Sequence, residues 1–117
     1  MTNLEALEAL QELFSDPARW TTNVLARDAQ GHATNYLIDK DTINPPVCWC
    51  LMGGIAKATN SLAVYDNPLR ASIERAAYLC FNLSPETVND TLGLDAVRQV
   101  IAHAIEVARA NPQELSL

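Results

Sequence analysis

The side chains best able to do chemistry in this sequence are three cysteines, two histidines and a scatter of carboxylates. Cys48 and Cys50 flank Trp49 in the run from Asn44 to Ala58, the most apolar stretch of the chain. A cysteine pair invites zinc, yet paired zinc ligands usually leave roughly two to four residues between them. On a regular helix, residues two apart point about 200° away from each other. The spacing therefore argues against a shared metal unless the helix starts after Cys50, and no metal site is expected. A reactive thiol is the second reading, because the first turn of a helix lowers a thiol pKa through its dipole and free N–H groups. Packing is the stronger expectation, since free cysteines behave as small buried hydrophobes. A cysteine–histidine pair drawn from Cys48 or Cys50 with His32 or His103 has no local pattern behind it. The chain holds no phosphate loop, no Gly-x-Ser-x-Gly elbow and no His-Glu-x-x-His motif. No catalytic residue and no cofactor is expected.

A second group is polar. Asn89-Asp90 stands where a helical pattern stalls, just ahead of the last helix. One reading makes it the corner of a pocket, with Trp20, Arg27, Asp28, Cys48, Trp49 and Cys50 as neighbours. The plainer reading is a pair of Asx side chains that satisfy backbone groups at a helix start.

These residues need elements to hold them. The apolar run predicts a buried central helix over residues 46–59, opened by Pro46, with Val47, Leu51, Ile55 and Ala58 on one stripe. Gly53 and Gly54 each cost a helix about 1 kcal/mol against alanine. Close approach by a neighbouring backbone is the expected return. Ahead of it, Thr2 and Glu5 have capping-box spacing. Leu4, Leu7, Leu10, Leu13 and Phe14 then recur with helical period up to Ser15-Asp-Pro17. This stripe reads as core, being too short to specify a coiled coil. Residues 24–28 and 33–38 read as two short strands around a turn at Asp28-Ala-Gln-Gly31, with Gly31 at positive φ. Residues 39–44 form a polar connection.

After the central helix, Leu69, Ile73, Ala76, Ala77, Cys80 and Leu83 line one face of another helix. Arg70 and Glu74 there have ion-pair spacing. Ser84-Pro-Glu86 signals a helix start. Val97, Val100, Ile101, Ala104, Ile105 and Ala108 face inward on the last helix, and His103 falls off that stripe toward solvent. The expected fold is α+β and mainly helical: about four helices around the central one, with one β-hairpin after the first helix.

Composition bounds the rest. The chain has 117 residues, an apolar share of 49% and a net charge of −6. That fits a single globular domain over 1–117 with an ordinary core. An acidic balance speaks against a general nucleic-acid binder; it suits a basic partner surface, but ordinary solubility is the stronger reading. No run approaches a membrane span. The acidic, amphipathic first residues carry no signal-peptide pattern, and three cysteines are too few for a disulfide framework, so a cytoplasmic setting is expected.

Taken in order, Trp20, Ala26-Arg-Asp28 with Gly31, Val47-Cys-Trp-Cys50 with Gly53 and Ala56, Asn89-Asp90, and Val97 with Ala104 resemble an uncharacterised bacterial and phage family, domain of unknown function 6197. The resemblance covers most of the chain. It implies one domain and brings no activity with it. The leading expectation is a non-enzymatic binding or accessory module, associated with a phage or mobile element, that engages an unknown protein partner. The alternative is a small enzyme or ligand-binding protein using the Cys48/Cys50 region. A homo-oligomer that buries a leucine or alanine face is the third.

Overall fold

A computed structural model describes residues 1–34, 37–38, 44–62 and 67–111. Helix α1 spans Asn3–Leu13. Its start is a reciprocal capping box: Glu5 N–H donates to Thr2 Oγ1 at 3.1 Å, and Thr2 N–H donates to Glu5 Oε1 at 2.8 Å. Two of the four orphan amides at that end are thereby satisfied. Leu7, Leu10, Leu13 and Phe14 are buried, so the leucine stripe is consumed by the protein's own core.

A short 3₁₀ turn at Pro17–Arg19 leads to a two-stranded antiparallel sheet, β1 (Ala26–Asp28) with β2 (Pro46–Trp49). The antiparallel pair stands where a hairpin is expected, but its second strand comes mainly from later in the chain. The turn itself forms: Gly31 has φ 83°, and Ala33 makes a single bridge to Arg27. Residues 35, 36 and 39–43 of the expected second strand and connection lie outside the described residues.

The largest correction concerns residues 46–49. They are strand, and helix α2 begins at Leu51 and runs to Thr59. Several local preferences favour extension there. Pro46 biases Pro45 away from the α region. Val47 and Trp49 are β-branched and aromatic. Proline is tolerated as a first strand residue, where no ladder N–H is missed. A bulge between Arg27 and Asp28 leaves Val47 without a partner, so it points outward at 43% exposure rather than joining the Leu51–Ile55 stripe.

Helix α3 (Pro68–Phe81) starts from the Asn67 cap and buries Leu69, Ile73, Ala76 and Ala77. Cys80 is only half-buried, at the margin of that face. Ser84 caps a three-residue turn, α4 (Pro85–Thr87), which runs straight into a π-turn at Val88–Leu92. Gly93, at φ 94°, breaks the chain into α5 (Leu94–Ala110), whose inward residues are those the period selects. Helices α1, α2, α3 and α5 share one core around Leu10, Phe14, Leu51, Ile55, Ile73 and Ile101. The architecture is α+β and mainly helical. No helix among the described residues is long and apolar enough to cross a membrane.

Candidate functional site

The site grows from the start of α2. Cys50 is its N-cap: the Sγ accepts from Gly53 N–H at 3.3 Å, and Cys50 N–H donates to Leu25 O at 3.1 Å. The backbone of Leu25 lies so close over this turn that a Cβ on Gly53 would overlap the Leu25 carbonyl oxygen. Gly54, one residue on, faces the ring edge of Phe14. Gly53 admits the backbone approach that its helix-breaking cost implied, whereas Gly54 makes room for a side chain.

Leu51 N–H, an orphan donor of the first turn, goes to Asn89 Oδ1 at 2.9 Å. Asn89 is 1% exposed, and its amide is filled on every side. Its Oδ1 also accepts from Trp20 Nε1 at 2.8 Å. Its Nδ2 donates to Thr21 O at 3.1 Å and to Asp90 Oδ1 at 2.9 Å. Two acceptor and two donor positions are the full capacity of an asparagine amide. Asp90 Oδ1 takes Asn23 N–H as well, at 2.9 Å, and holds Asn23 at φ 67°. The π-turn has a physical role here: its wide turn carries Asn89 inward while Asp90 stays exposed at the rim.

Beside this junction lies a cleft of about 170 Å³. Val24, Leu25, Cys50 and Met52 make its apolar part, and Asn23, Glu86, Asn89 and Asp90 its polar part. Glu86 Oε2 meets Arg70 at 3.3 Å, while Oε1 is buried without a hydrogen-bond partner among the described residues. Arg70 is also 3.3 Å from Glu74, the ion pair that the spacing indicated, and its Nη1 contacts Met52 Sδ at 3.0 Å.

Of the eight residues expected to form a pocket, Cys50, Asn89 and Asp90 line this cleft, and Trp20 touches it through Asn89. The other four are placed elsewhere. Arg27 spends its guanidinium on Thr21 Oγ1, Thr22 O and Gly31 O, closing the loop. Asp28 is an Asx turn: its Oδ1 accepts from Gln30 and His32 N–H, both at 3.0 Å. Cys48 is half-buried opposite Arg27 in the sheet. Trp49 is core, its Nε1 on Leu37 O at 2.8 Å and Lys57 over its ring at 5.5 Å. Asn89 satisfies a backbone N–H at a helix start, as the plainer reading has it, and also lines the cleft; the helix start is that of α2 and not of the last helix.

Burial pushes the Cys50 thiol above its ordinary pKa. Hydrogen bonds from Gly53 and Met52 N–H oppose that rise, and the charges of Asp90 and Glu86 add to it. A helix start alone would activate this thiol; desolvation and two carboxylates reverse the effect. Among the described residues, no three or more His, Cys, Asp or Glu side chains are placed to hold a metal ion. Sequence reasoning missed Glu86, read only as part of a helix start, and Met52. The available signal was Glu86 and Asp90 four apart on one helical segment.

His103 also departs from expectation. It is half-buried, with Nε2 fully covered, in a second and smaller cavity between α1, α3 and α5. No protein-family model, curated protein or solved structure matches this chain.

Proposed function

We propose that this chain is a non-enzymatic binding module that engages another protein by receiving one of its basic side chains in the Glu86/Asp90 cleft. The observation that carries this reading is the cleft's division of labour. Val24, Leu25 and Met52 offer apolar contact, and two carboxylates stand at the polar end. Lysine and arginine have that composition in reverse, an apolar stem and a cationic head. A net charge of −6 adds long-range attraction for a basic surface. The resemblance to an uncharacterised bacterial and phage family, a mobile-element association and a cytoplasmic setting belong to the same proposal.

The test uses N-acetyl-arginine amide and N-acetyl-lysine amide as probes, followed through backbone amide shifts. Saturable shifts are expected at Asn23, Leu25, Met52 and Asp90, weakening as salt rises and lost in Glu86→Gln/Asp90→Asn. Absence of shifts at millimolar probe, or shifts that survive the double substitution, overturns the reading. The rival reading uses Cys50 as a nucleophile or ligand-binding thiol, and its support is that Cys50 lines the same cleft. It requires alkylation of Cys50 faster than free cysteine at neutral pH. The raised pKa leads us to expect slower alkylation.

A further inference from the structure

The two carboxylates of the acidic cleft are not equivalent. Glu86 already faces a guanidinium: its Oε2 lies 3.3 Å from Arg70 Nη2, and Arg70 is also held by Glu74 and by Met52 Sδ. The Arg70 side chain is only 16% exposed, so little water screens its charge from Glu86. A second cation brought to Glu86 meets that like charge.

Asp90 is held differently. Its Oδ1 accepts from Asn23 N–H and from Asn89 Nδ2, both at 2.9 Å. Both donors are neutral, so they orient the carboxylate without cancelling its charge. An ionised carboxylate has about four lone-pair sites on its two oxygens, and no hydrogen bond or ion pair reaches Asp90 Oδ2 among the described residues. Asp90 itself is exposed, while Asn89 behind it is buried and fully bonded. Asn23 stands at φ 67°, in the left-handed region that asparagine tolerates better than most residues. Val24 and Leu25, which follow it, are an apolar wall of the same cleft. One hydrogen bond from Asn23 therefore ties the carboxylate to that wall.

We propose that Asp90 is the anchor of the cleft: the partner's ammonium or guanidinium head binds its Oδ2, Asn23 and Asn89 are positioning residues that fix the carboxylate through Oδ1, and Glu86 stays with Arg70. This inference rests on the reading that the cleft receives a basic side chain. Asp90→Asn isolates the charge, because an asparagine Oδ1 can still accept from Asn23 and Asn89.

The experiment titrates N-acetyl-arginine amide into the whole chain, into Asp90→Asn and into Glu86→Gln, following the amide shifts of Leu25 and Met52. Asp90→Asn should weaken binding about tenfold or more, the scale of a hydrogen bond to a charged group, and should flatten its salt dependence. Glu86→Gln should weaken it by less than about threefold and keep the salt dependence. On saturation of the wild-type chain, solvent exchange of the Asn23 amide should be unchanged or slower, because the head leaves Oδ1 alone. Equal losses in the two variants, or a larger loss in Glu86→Gln, would overturn the assignment of Asp90 while the cleft reading stands. Faster exchange at Asn23 would overturn the placing of the head on Oδ2. No saturable binding by the wild-type chain removes the cleft reading and this assignment together. The exchange measurement needs only the wild-type chain, so it decides even where a substitution disturbs the fold.

Discussion

Two buried asparagines divide this molecule. Asn89 has every hydrogen-bonding position filled by its own chain, tying the 20–23 loop, the start of α2 and the π-turn together. Asn3 holds one protein bond and leaves its carbonyl oxygen buried with no hydrogen-bond partner among the described residues. The residue type is the same and the degree of burial is similar, at 1% and 6%. The difference is closure. Where the chain supplies all partners, a buried amide locks elements to each other. Where it supplies half, the amide holds its neighbour by one bond and keeps a buried acceptor unmet among the described residues.

The sharpest way to break the contrast is Asn89→Leu. It strands Leu51 N–H and Trp20 Nε1 in a desolvated place, and urea unfolding should show a loss of about 3 kcal/mol or more. Gly53→Ala attacks the same junction through its backbone. The new Cβ meets the Leu25 carbonyl, which is tied into the sheet, so a loss of about 2–3 kcal/mol is expected. Gly54→Ala should cost less, about 1–2 kcal/mol, since its Cβ comes 2.7 Å from Phe14 Cζ and a ring edge can give way. On the other side of the comparison, Asn3→Leu removes an orphaned oxygen along with one bond, and should change stability by under about 1 kcal/mol. A loss as large as that of Asn89→Leu would erase the distinction.

The smallest effect expected is a pH slope. Cys50 has a folded pKa above its unfolded value, so its contribution is complete below the unfolded pKa and is lost as pH rises through the folded one. The urea midpoint should fall on the alkaline side of neutrality, and less so in Cys50→Ser.

How much of this could be read beforehand follows the range of the interactions. Helices α1, α3 and α5 were legible because Leu7–Leu10, Ile73–Ala77 and Val97–Ile101 repeat within single turns. The Thr2–Glu5 box was legible for the same reason, and the glycine pair announced a close approach without naming the neighbour. Residues 46–49 were misread because a short apolar run fits strand and helix alike. What settles it is pairing with Ala26–Asp28, about twenty residues earlier, which no local pattern encodes. Cys50 was invisible as a cap because cysteine is not a usual one. The stalled pattern at Asn89-Asp90 pointed to two residues that line the cleft. Arg27 and Asp28 do not join the cleft, because both serve their own turn. Glu86 escaped because Ser84-Pro-Glu86 already had a sufficient local explanation.

One bond at the junction also orders events in time. Leu51 N–H is satisfied by a side chain 38 residues further on, and the Trp20 indole by the same amide 69 residues later. A ribosome joins residues from the N-terminal end, so α2 is synthesised before the group that completes its first turn. The first half of this protein is synthesised with its central joint open, and the joint closes only when Asn89 arrives.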